Sequence, residues 1–304
     1  MATAERAETL FVVVICTRDR GPQLLETLDA LEAQSGPAFS IVVVDQSAQT
    51  APEVRARADA QPGLRLIHDN GRGLSRARNV ACRSTTEEWL VFVDDDCIVA
   101  ADFVATLERV LREHPEADFI TPHVGGRTLD PRPDDLPFST FPIEEERTFS
   151  GRWVHPGRVG FGVCMLVRRT AIDRLGGWDE RLGPGAPDFP AADDMDFNWR
   201  LLRGGGVVHH APQIRARHDQ WRTRDEVVAL YAGYMAAWMG MTVKTMRTGD
   251  PLGGLWLWWG AGPRFLVQMF ASGLRRRSSF RLRVAARSTL TLLTGTWRAA
   301  RRSW

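Results

Sequence analysis

The chain has 304 residues, 44% hydrophobic and 25% charged, the proportions of an ordinary globular protein with enough surface to bury a sizeable core in one domain or two. Its four cysteines (Cys16, Cys82, Cys97, Cys164) show no CxxC spacing, which argues against a disulfide framework or a cysteine zinc site and for reduced thiols in a cytosolic protein. The net charge of +2 conceals an asymmetry: Pro251 to Trp304 carries ten Arg and no Lys, Asp or Glu, which leaves −8 on the preceding residues and suggests an anionic partner for the C-terminal end.

Met1 to Glu8 is polar and has no signal-peptide pattern, so a cytoplasmic location is expected. Leu10 to Cys16 is a continuous apolar run, the pattern of a strand buried on both faces. Thr17-Arg18-Asp19-Arg20-Gly21 follows as a loop. Pro22 then opens a helix whose buried face is Leu24, Leu28 and Leu31. Ile41 to Asp45 is a second buried strand, and Leu64 to His68 an alternating one nearer an edge. Gly71 to Asn79 reads as a glycine turn running into a helix. Trp89 to Val93 is a strand that ends in three carboxylates, Asp94, Asp95 and Asp96. Neighbouring carboxylates about 4 Å apart repel by roughly 1 kcal/mol in water and several times that near a protein surface. A cation is expected among them, at the carboxyl end of a strand, where open α/β sheets bind ligands.

A helix from Asp102 to Glu113 comes next. Strand and helix alternation at this spacing predicts βαβ units and a mostly parallel sheet. Pro122 to Trp153, which also holds Pro131, Pro133, Pro137 and Pro142 among charges, reads as a long loop. Phe161 to Val167 reads as a strand, Gly176 to Gly183 as a turn, and Asp193 to Arg203 as a helix entered through acidic residues. Val207 to Ala216 is strand-like and His218 follows. His209 and His210, adjacent on that strand, point to opposite faces and read as structural. A dinucleotide-type glycine fingerprint and a Walker A motif are both missing from the sequence. Phosphate binding would then rely on a metal at Asp94 to Asp96, helped by Arg76 or Arg78.

Six pieces now stand in order: Val14-Ile15-Cys16-Thr17-Arg18-Asp19-Arg20, Val43-Val44-Asp45-Gln46-Ser47, Ala77-Arg78-Asn79, Asp94-Asp95-Asp96, Gly176-Gly177-Trp178-Asp179-Glu180 and Asp193-Asp194-Met195-Asp196. Over roughly residues 8 to 250 the chain resembles the GT-A glycosyltransferases, specifically the inverting, nucleotide-sugar-dependent family 2. It departs from them at Asp193, where Glu is usual, and at Gln46, where Asn or Asp is common. The resemblance implies an α/β fold of GT-A (Rossmann-like) type, a mostly parallel sheet flanked by helices. Residues 1–222 would form the catalytic domain, and 223–304 a helical extension. It implies donor binding by Thr17, Arg18, Asp45, Arg78, Asp94 and Asp95, and a Mg2+ or Mn2+ ion on Asp96 and His218. It makes Asp194 the general base and puts Gly177, Trp178, Asp179 and Asp193 on the acceptor side. The acceptor would be a sugar, a lipid-linked molecule or a small molecule. Polysaccharide, cell-wall glycolipid and natural-product glycosylation all use this framework.

Chemistry points the same way. Displacing a nucleoside diphosphate builds negative charge on the leaving group, which a metal can stabilise. The incoming hydroxyl must lose a proton to one positioned carboxylate. A sugar nucleotidyltransferase is the alternative enzyme, but Thr17 to Gly21 poorly matches its glycine-rich basic loop. A non-catalytic glycan-binding or scaffold protein is the other alternative, against which Asp94, Asp96, Asp194 and His218 stand together. No nucleic-acid-binding fold is visible, and no nucleic-acid partner is expected.

Val227 to Val243 is free of charge and predicts a buried helix. Leu252 to Leu274 is broken by Pro263, Arg264 and Gln268 and is not a clean membrane span. Trp256, Trp258 and Trp259, then Arg275 to Arg277, then Arg281, Arg283 and Arg287 on an amphipathic helix, predict peripheral attachment to the anionic inner face of the cell membrane. The alternative is an Arg-rich helix packed on the catalytic domain or on a second subunit.

Overall fold

The computed structural model describes residues 9–126, 136–137, 140–218 and 220–304. The strands and helices alternate at first: β1 (Phe11–Thr17), α1 (Gly21–Glu32), β2 (Ser40–Asp45), α2 (Pro52–Ala60), β3 (Leu64–His68), α3 (Leu74–Arg83), β4 (Trp89–Val93), β5 (Cys97–Val99), α4 (Phe103–Glu113) and β6 (Phe119–Gly126). Next come β7 (Leu136–Pro137), β8 (Arg147–Phe149), β9 (Cys164–Arg168), α5 (Arg169–Leu175), α6 (Asp193–Arg203), β10 (Val208–His218) and β11 (Trp221–Arg222). Four helices close the chain: α7 (Arg224–Arg247), α8 (Pro251–Ala261), α9 (Pro263–Arg275) and α10 (Ser279–Ala300).

Two compact units are formed. The first takes the described residues of Met1–Leu129, Pro137–Trp178 and Phe197–Gln220, and the second those of Asp130–Leu136, Asp179–Asp196 and Trp221–Trp304.

The first unit is built on a sheet in the order β3-β2-β1-β4-β9-β6-β10-β5, with β8 also paired to β10. It is parallel through β3, β2, β1 and β4 and again between β6 and β10; β9 runs antiparallel to both neighbours. Both faces are covered, as the continuous apolar strands require. Val13 and Ile15 pack with Leu24, Leu28, Phe103 and Leu107 of α1 and α4. Val12 and Val14 pack on the other side with Ala77, Ala81, Ile172 and Phe197. Burying such a side chain contributes about 1.5–3 kcal/mol, so this two-sided core dominates the unit's stability.

The proline-rich stretch read as one long loop holds more structure. β6 runs through Pro122 to Gly126, and β8 lies further on. Pro122 is tolerated because the ladder breaks beside it: it faces Ala211, and the register then jumps so that His123 faces Arg215. Pro212, within the jump, also has no N–H to donate. This bulge redirects the end of β10, which pairs His218 with Cys97 of β5. Residues 127–135, 138 and 139 of that stretch lie outside the described residues.

In the second unit, α7 starts at a capping box. Thr223 Oγ1 accepts from the Glu226 N–H at 3.3 Å, and Glu226 Oε2 accepts from the Thr223 N–H at 2.7 Å. The long apolar run after it divides at Gly262-Pro263 into α8 and α9, since proline cannot extend a helix that precedes it. The Arg-rich segment forms α10, which packs on α7 so closely that a Cβ at Gly295 would sit 2.9 Å from the Ala236 Cα. Among the described residues no helix is long and apolar enough to cross a membrane.

Candidate active site

In the first unit, β4 delivers Asp94, Asp95 and Asp96 into a tight turn. The Asp94 N–H donates to the Val163 carbonyl at 2.9 Å, and the Cys97 N–H donates to the Asp94 carbonyl at 3.1 Å. Thr27 Oγ1 of α1 donates to the Asp95 carbonyl at 3.0 Å and holds the turn from below. Asp95 and Asp96 are buried.

The three carboxyls differ in their environments. Burial pushes Asp94 up to about 7, and Asp95 and Asp96 add to this, against the pull of His218 and Arg78. Burial likewise raises Asp95 to about 6, opposed by Arg20 and by the Thr17 hydroxyl, which donates to it at 2.7 Å. Burial also works against ionisation of Asp96, but the hydrogen bond and charge of His218, helped by Arg20, override it and hold Asp96 down to about 2. His218 Nε2 lies 2.9 Å from Asp96 Oδ1. Asp96, Cys97 and His218 together bring candidate ligand atoms within 4.8 Å of one another.

Two partners of this cluster were given no role from the sequence. Arg20, the residue before α1, places Nη1 2.9 Å from Asp95 Oδ1 and Nη2 2.6 Å from Asp96 Oδ2. Gln220 Nε2 donates to Asp96 Oδ2 at 3.3 Å. Only the fold could show this, since 75 residues or more separate these pairs along the chain. A buried carboxylate beside an imidazole, with two further carboxyls raised by burial and crowding, is a donor set that fits a hard or borderline divalent cation. Asp96 and His218 are the residues that would hold it.

The neighbouring strand ends complete this side. Asp45, at the end of β2, accepts from the Ser47 N–H at 2.8 Å and from the Thr50 hydroxyl at 2.5 Å. Burial opposes its charge, and these hydrogen bonds still hold its pKa below the usual range. Asp69, just past β3, accepts from both Nε and Nη2 of Arg76 and from Gln46 Nε2, and Arg76 holds it down to about 2. Asp69 was not singled out from the sequence, and the partner of Arg76 is this carboxylate. Arg18 is exposed, 3.4 Å from Asp19.

Arg78 is buried, and Nη2 donates to the Gly162 carbonyl at 2.9 Å. Its guanidinium carbon lies 6.0 Å from the Phe92 ring centre and 5.8 Å from that of Trp178. A Cβ at Gly162 would come within 2.6 Å of Arg78 Nη2, so a side chain there would have to displace the guanidinium. Trp178 is a core residue, stacked on Phe197 at 4.4 Å and edge-on to Phe92 at 5.0 Å. Asn79 clamps the turn before it, accepting from the Trp178 N–H and donating to its carbonyl, both at 2.9 Å. Gly177 is left-handed there (φ +79°), and a Cβ would strike Asn79 Oδ1 at 2.5 Å.

The second unit carries Asp179, Asp193, Asp194 and Asp196. Asp193 is buried beside Gly183, and Asp194 Oδ1 accepts from the Met195 N–H at 2.7 Å in the first turn of α6. Lys244 of α7 is buried and bridges two of the acids, with Nζ 2.6 Å from Asp179 Oδ2 and 2.7 Å from Asp196 Oδ1. Arg181 also grips Asp179 through Nε and Nη2, both at 2.8 Å. Burial opposes charge on Asp179, but Arg181 and Lys244 hold it well below the usual carboxylate range. Lys244 lies in a stretch the sequence shows only as the end of an apolar helix, and nothing there announces its partners.

The sequence profile of Glycosyl transferase family 2 matches residues 12–176 of this chain. A Haemophilus influenzae protein described as an uncharacterized glycosyltransferase is 20% identical over 63% of this chain, which spans 61% of that relative's length. A glucosyl-dolichyl phosphate glucuronosyltransferase of Haloferax volcanii is 23% identical over 77% of this chain and 76% of its own. Among solved structures, the mannosyltransferase PcManGT of Pyrobaculum calidifontis, in complex with GDP-Man and Mn2+, superimposes with a TM-score of 0.61 at 20% identity. That superposition covers 93% of this chain and 87% of the other, and the shared fold is GT-A. With the profile covering more than half of its length, this chain belongs to glycosyl transferase family 2.

Proposed function

We propose that the protein is an inverting glycosyltransferase that moves a sugar from a nucleoside-diphosphate sugar to an acceptor hydroxyl. The observation that carries this reading is the pairing of Asp96 with His218 at the carboxyl end of β4, inside a three-carboxylate turn. Asp45 and Asp69, at the adjoining strand ends, are suited to orient the nucleoside. Asp194 takes the proton from the acceptor hydroxyl, and that oxygen attacks the anomeric carbon. The bond from the sugar to the diphosphate breaks on the opposite side, and one displacement inverts the configuration. A divalent cation, when bound at Asp96 and His218, supplies Lewis-acid stabilisation of the departing diphosphate. The PcManGT complex with GDP-Man and Mn2+ supports this donor class by analogy.

Asp96→Ala tests the reading. Calorimetry with a panel of uridine and guanosine diphosphate sugars should show Mn2+-dependent binding to the parent, and a loss of at least tenfold in the variant. A variant that binds donor as tightly as the parent would remove Asp96 from the site.

The acceptor is proposed to be lipid-linked and met at an anionic membrane surface. Each of the last three helices exposes an apolar stripe at i, i+3 (or i+4) and i+7: Leu252, Leu255 and Trp259 on α8, Val267, Phe270 and Leu274 on α9, and Leu290, Leu293 and Trp297 on α10. Arg275, Arg276 and Arg277 are exposed at the end of α9. Apolar insertion joined to basic charge is the two-signal arrangement that holds a peripheral protein, with each Arg near the surface adding about 1 kcal/mol. The dolichyl-phosphate-linked substrate in the Haloferax relative's name agrees with such an acceptor. The full chain should sediment with anionic vesicles and be released by salt. Trp259→Ser with Phe270→Ser, or Gln at 275–277, should each weaken this at least tenfold. Absence of vesicle binding at low salt, with concentration-dependent self-association instead, would assign the stripes to a second copy.

A further inference from the structure

In the turn after β4, each carboxylate oxygen of Asp95 and Asp96 has a partner within the first unit. Asp95 Oδ2 accepts from the Thr17 hydroxyl at 2.7 Å, and Asp95 Oδ1 lies 2.9 Å from Arg20 Nη1. Asp96 Oδ1 lies 2.9 Å from His218 Nε2. Asp96 Oδ2 lies 2.6 Å from Arg20 Nη2 and 3.3 Å from Gln220 Nε2. One guanidinium thus bridges two of the three carboxylates and grips Asp96, the residue that with His218 is the proposed cation site. We propose that Arg20 is a built-in counter-ion of this site: its guanidinium leaves Asp96 when a divalent cation is bound there and turns to the diphosphate of the donor, which couples cation binding to donor binding. This rests on the reading of Asp96 and His218 given above.

Burial and anchoring decide which partner gives way. The side chains of Asp95 and Asp96 are 7% and 2% exposed, whereas that of Arg20 is 38% exposed. The acidic turn is fixed from two sides, by the Thr27 hydroxyl on the Asp95 carbonyl and by the Asp94 N–H on the Val163 carbonyl. Arg20 is anchored through its backbone. Its carbonyl accepts from the Leu24 N–H at 3.0 Å and opens the first turn of α1. The residue before it, Asp19, is left-handed (φ +56°), and its N–H donates to Ser47 Oγ at 2.8 Å. The Arg20 side chain makes no cap to α1. It can therefore swing about a fixed Cα while strand, turn and helix stay in place.

Electrostatics sets the direction of the exchange. Adjoining carboxylates repel, and the guanidinium offsets that repulsion with a single positive charge. A divalent cation offsets it more strongly. Both charges close to one carboxylate repel each other, and solvent screens them little where the acids are buried. The guanidinium is a planar fork whose parallel N–H groups match two oxygens of a phosphate as well as two of a carboxylate.

Coupling follows from this competition. Cation binding by itself gives up the contacts of Arg20 with Asp95 and Asp96 and puts nothing in their place. When a nucleoside diphosphate arrives as well, its oxygens take over the guanidinium. Each ligand then strengthens the other by the same factor, as linkage requires. Arg20 is a positioning residue in this account: it holds the acids apart from one another before the ligands arrive and holds the diphosphate afterwards.

The test is Mn2+ titration of the full chain, stripped by chelator, with free Mn2+ read by electron paramagnetic resonance. It is run alone and with UDP or GDP, corrected for Mn2+ held by the nucleotide itself. In the parent, one of the nucleotides should tighten Mn2+ binding by about fivefold or more. Arg20→Gln should bind Mn2+ alone at least tenfold more tightly than the parent, and its nucleotide effect should be at least threefold smaller. A merely structural role for Arg20 predicts the reverse, since a loosened turn holds an ion less well. If Arg20→Gln does not fold, the Arg20 Nε–H NMR signal of the parent decides. It must move when Mg2+ is added at a concentration that displaces Mn2+, and move again with nucleotide. Arg20→Gln binding Mn2+ no more tightly than the parent, a parent whose Mn2+ affinity neither nucleotide changes, or an Arg20 signal that Mg2+ leaves unmoved overturns the proposal. Asp96→Ala separates this from failure of the site itself. Loss of Mn2+ in that variant keeps the cation at Asp96 whatever Arg20 does, and undiminished Mn2+ binding there defeats both readings.

Discussion

Asp194→Asn should lower sugar transfer by 10²-fold or more while leaving donor and metal affinity at parental values. That is the usual scale for loss of a positioned general base. The expectation rests on the place of Asp194 in the first turn of α6, where helix-terminal N–H groups favour a carboxylate. An ionised aspartate at neutral pH is a weak base, so leaving-group stabilisation should carry more of the rate than proton removal. The asparagine keeps the shape of the side chain and can still accept a hydrogen bond from the Met195 N–H, so the helix start should survive. Single-turnover transfer and donor titration on the same samples separate the two effects. Near-parental turnover would take Asp194 out of the base role. A matching loss of donor affinity would show that it acts in binding instead.

The second large effect is expected at Lys244, on stability first and on rate second. Its ammonium is buried between Asp179 and Asp196, and Asp179 is also gripped by Arg181. Removing one partner of a buried ion pair strands the other and costs about 3–5 kcal/mol. Lys244→Met should therefore lower the unfolding free energy, read from chemical denaturation, by an amount in that range. Asp196 is two residues from Asp194, so the variant should also lower kcat with little change in donor affinity. A shift under about 1 kcal/mol would show that solvent already screens the network. The acid side gives an independent check. The Asp179 pKa is depressed in the folded protein, so its contribution is complete above the ordinary carboxylate value of 3.8 and is lost as pH falls below it. The parent should lose more stability than Lys244→Met on acidification through that range, because the variant has less of this contribution to lose.

Much of the fold was legible before any coordinates. Continuous apolar runs at Leu10 to Cys16, Ile41 to Val44 and Trp89 to Val93 cannot face water on either side, and each became a central strand covered on both faces. Leucines at 24, 28 and 31 marked the buried side of α1. The proline-rich stretch after Thr121 misled because proline normally ends a strand, and only the register jump opposite Pro122 explains its place in β6. The helical tail was legible as apolar and basic. Its division at Gly262-Pro263 follows from proline chemistry, whereas the packing of α10 on α7 through Gly295 does not show in the sequence.

For the candidate site, the sequence by itself determined the kinds of group present: three consecutive carboxylates after an apolar strand, an acidic helix start, and a histidine after the last long strand. Local order along the chain is enough for that, since hydrophobic period and end signals act over a few residues. Tertiary structure alone decided which groups meet. It brought Arg20 and Gln220 onto Asp95 and Asp96, enclosed Arg78 beside Phe92 and Trp178, and set Lys244 between Asp179 and Asp196. It also stacked His114 on His209, which the sequence reads only as structural. These pairs are separated by many tens of residues, and their meeting depends on strand register and helix packing. A one-residue slip of β10 would turn His209 and His218 to the opposite face of the sheet, so no local property of the sequence could have specified either cluster.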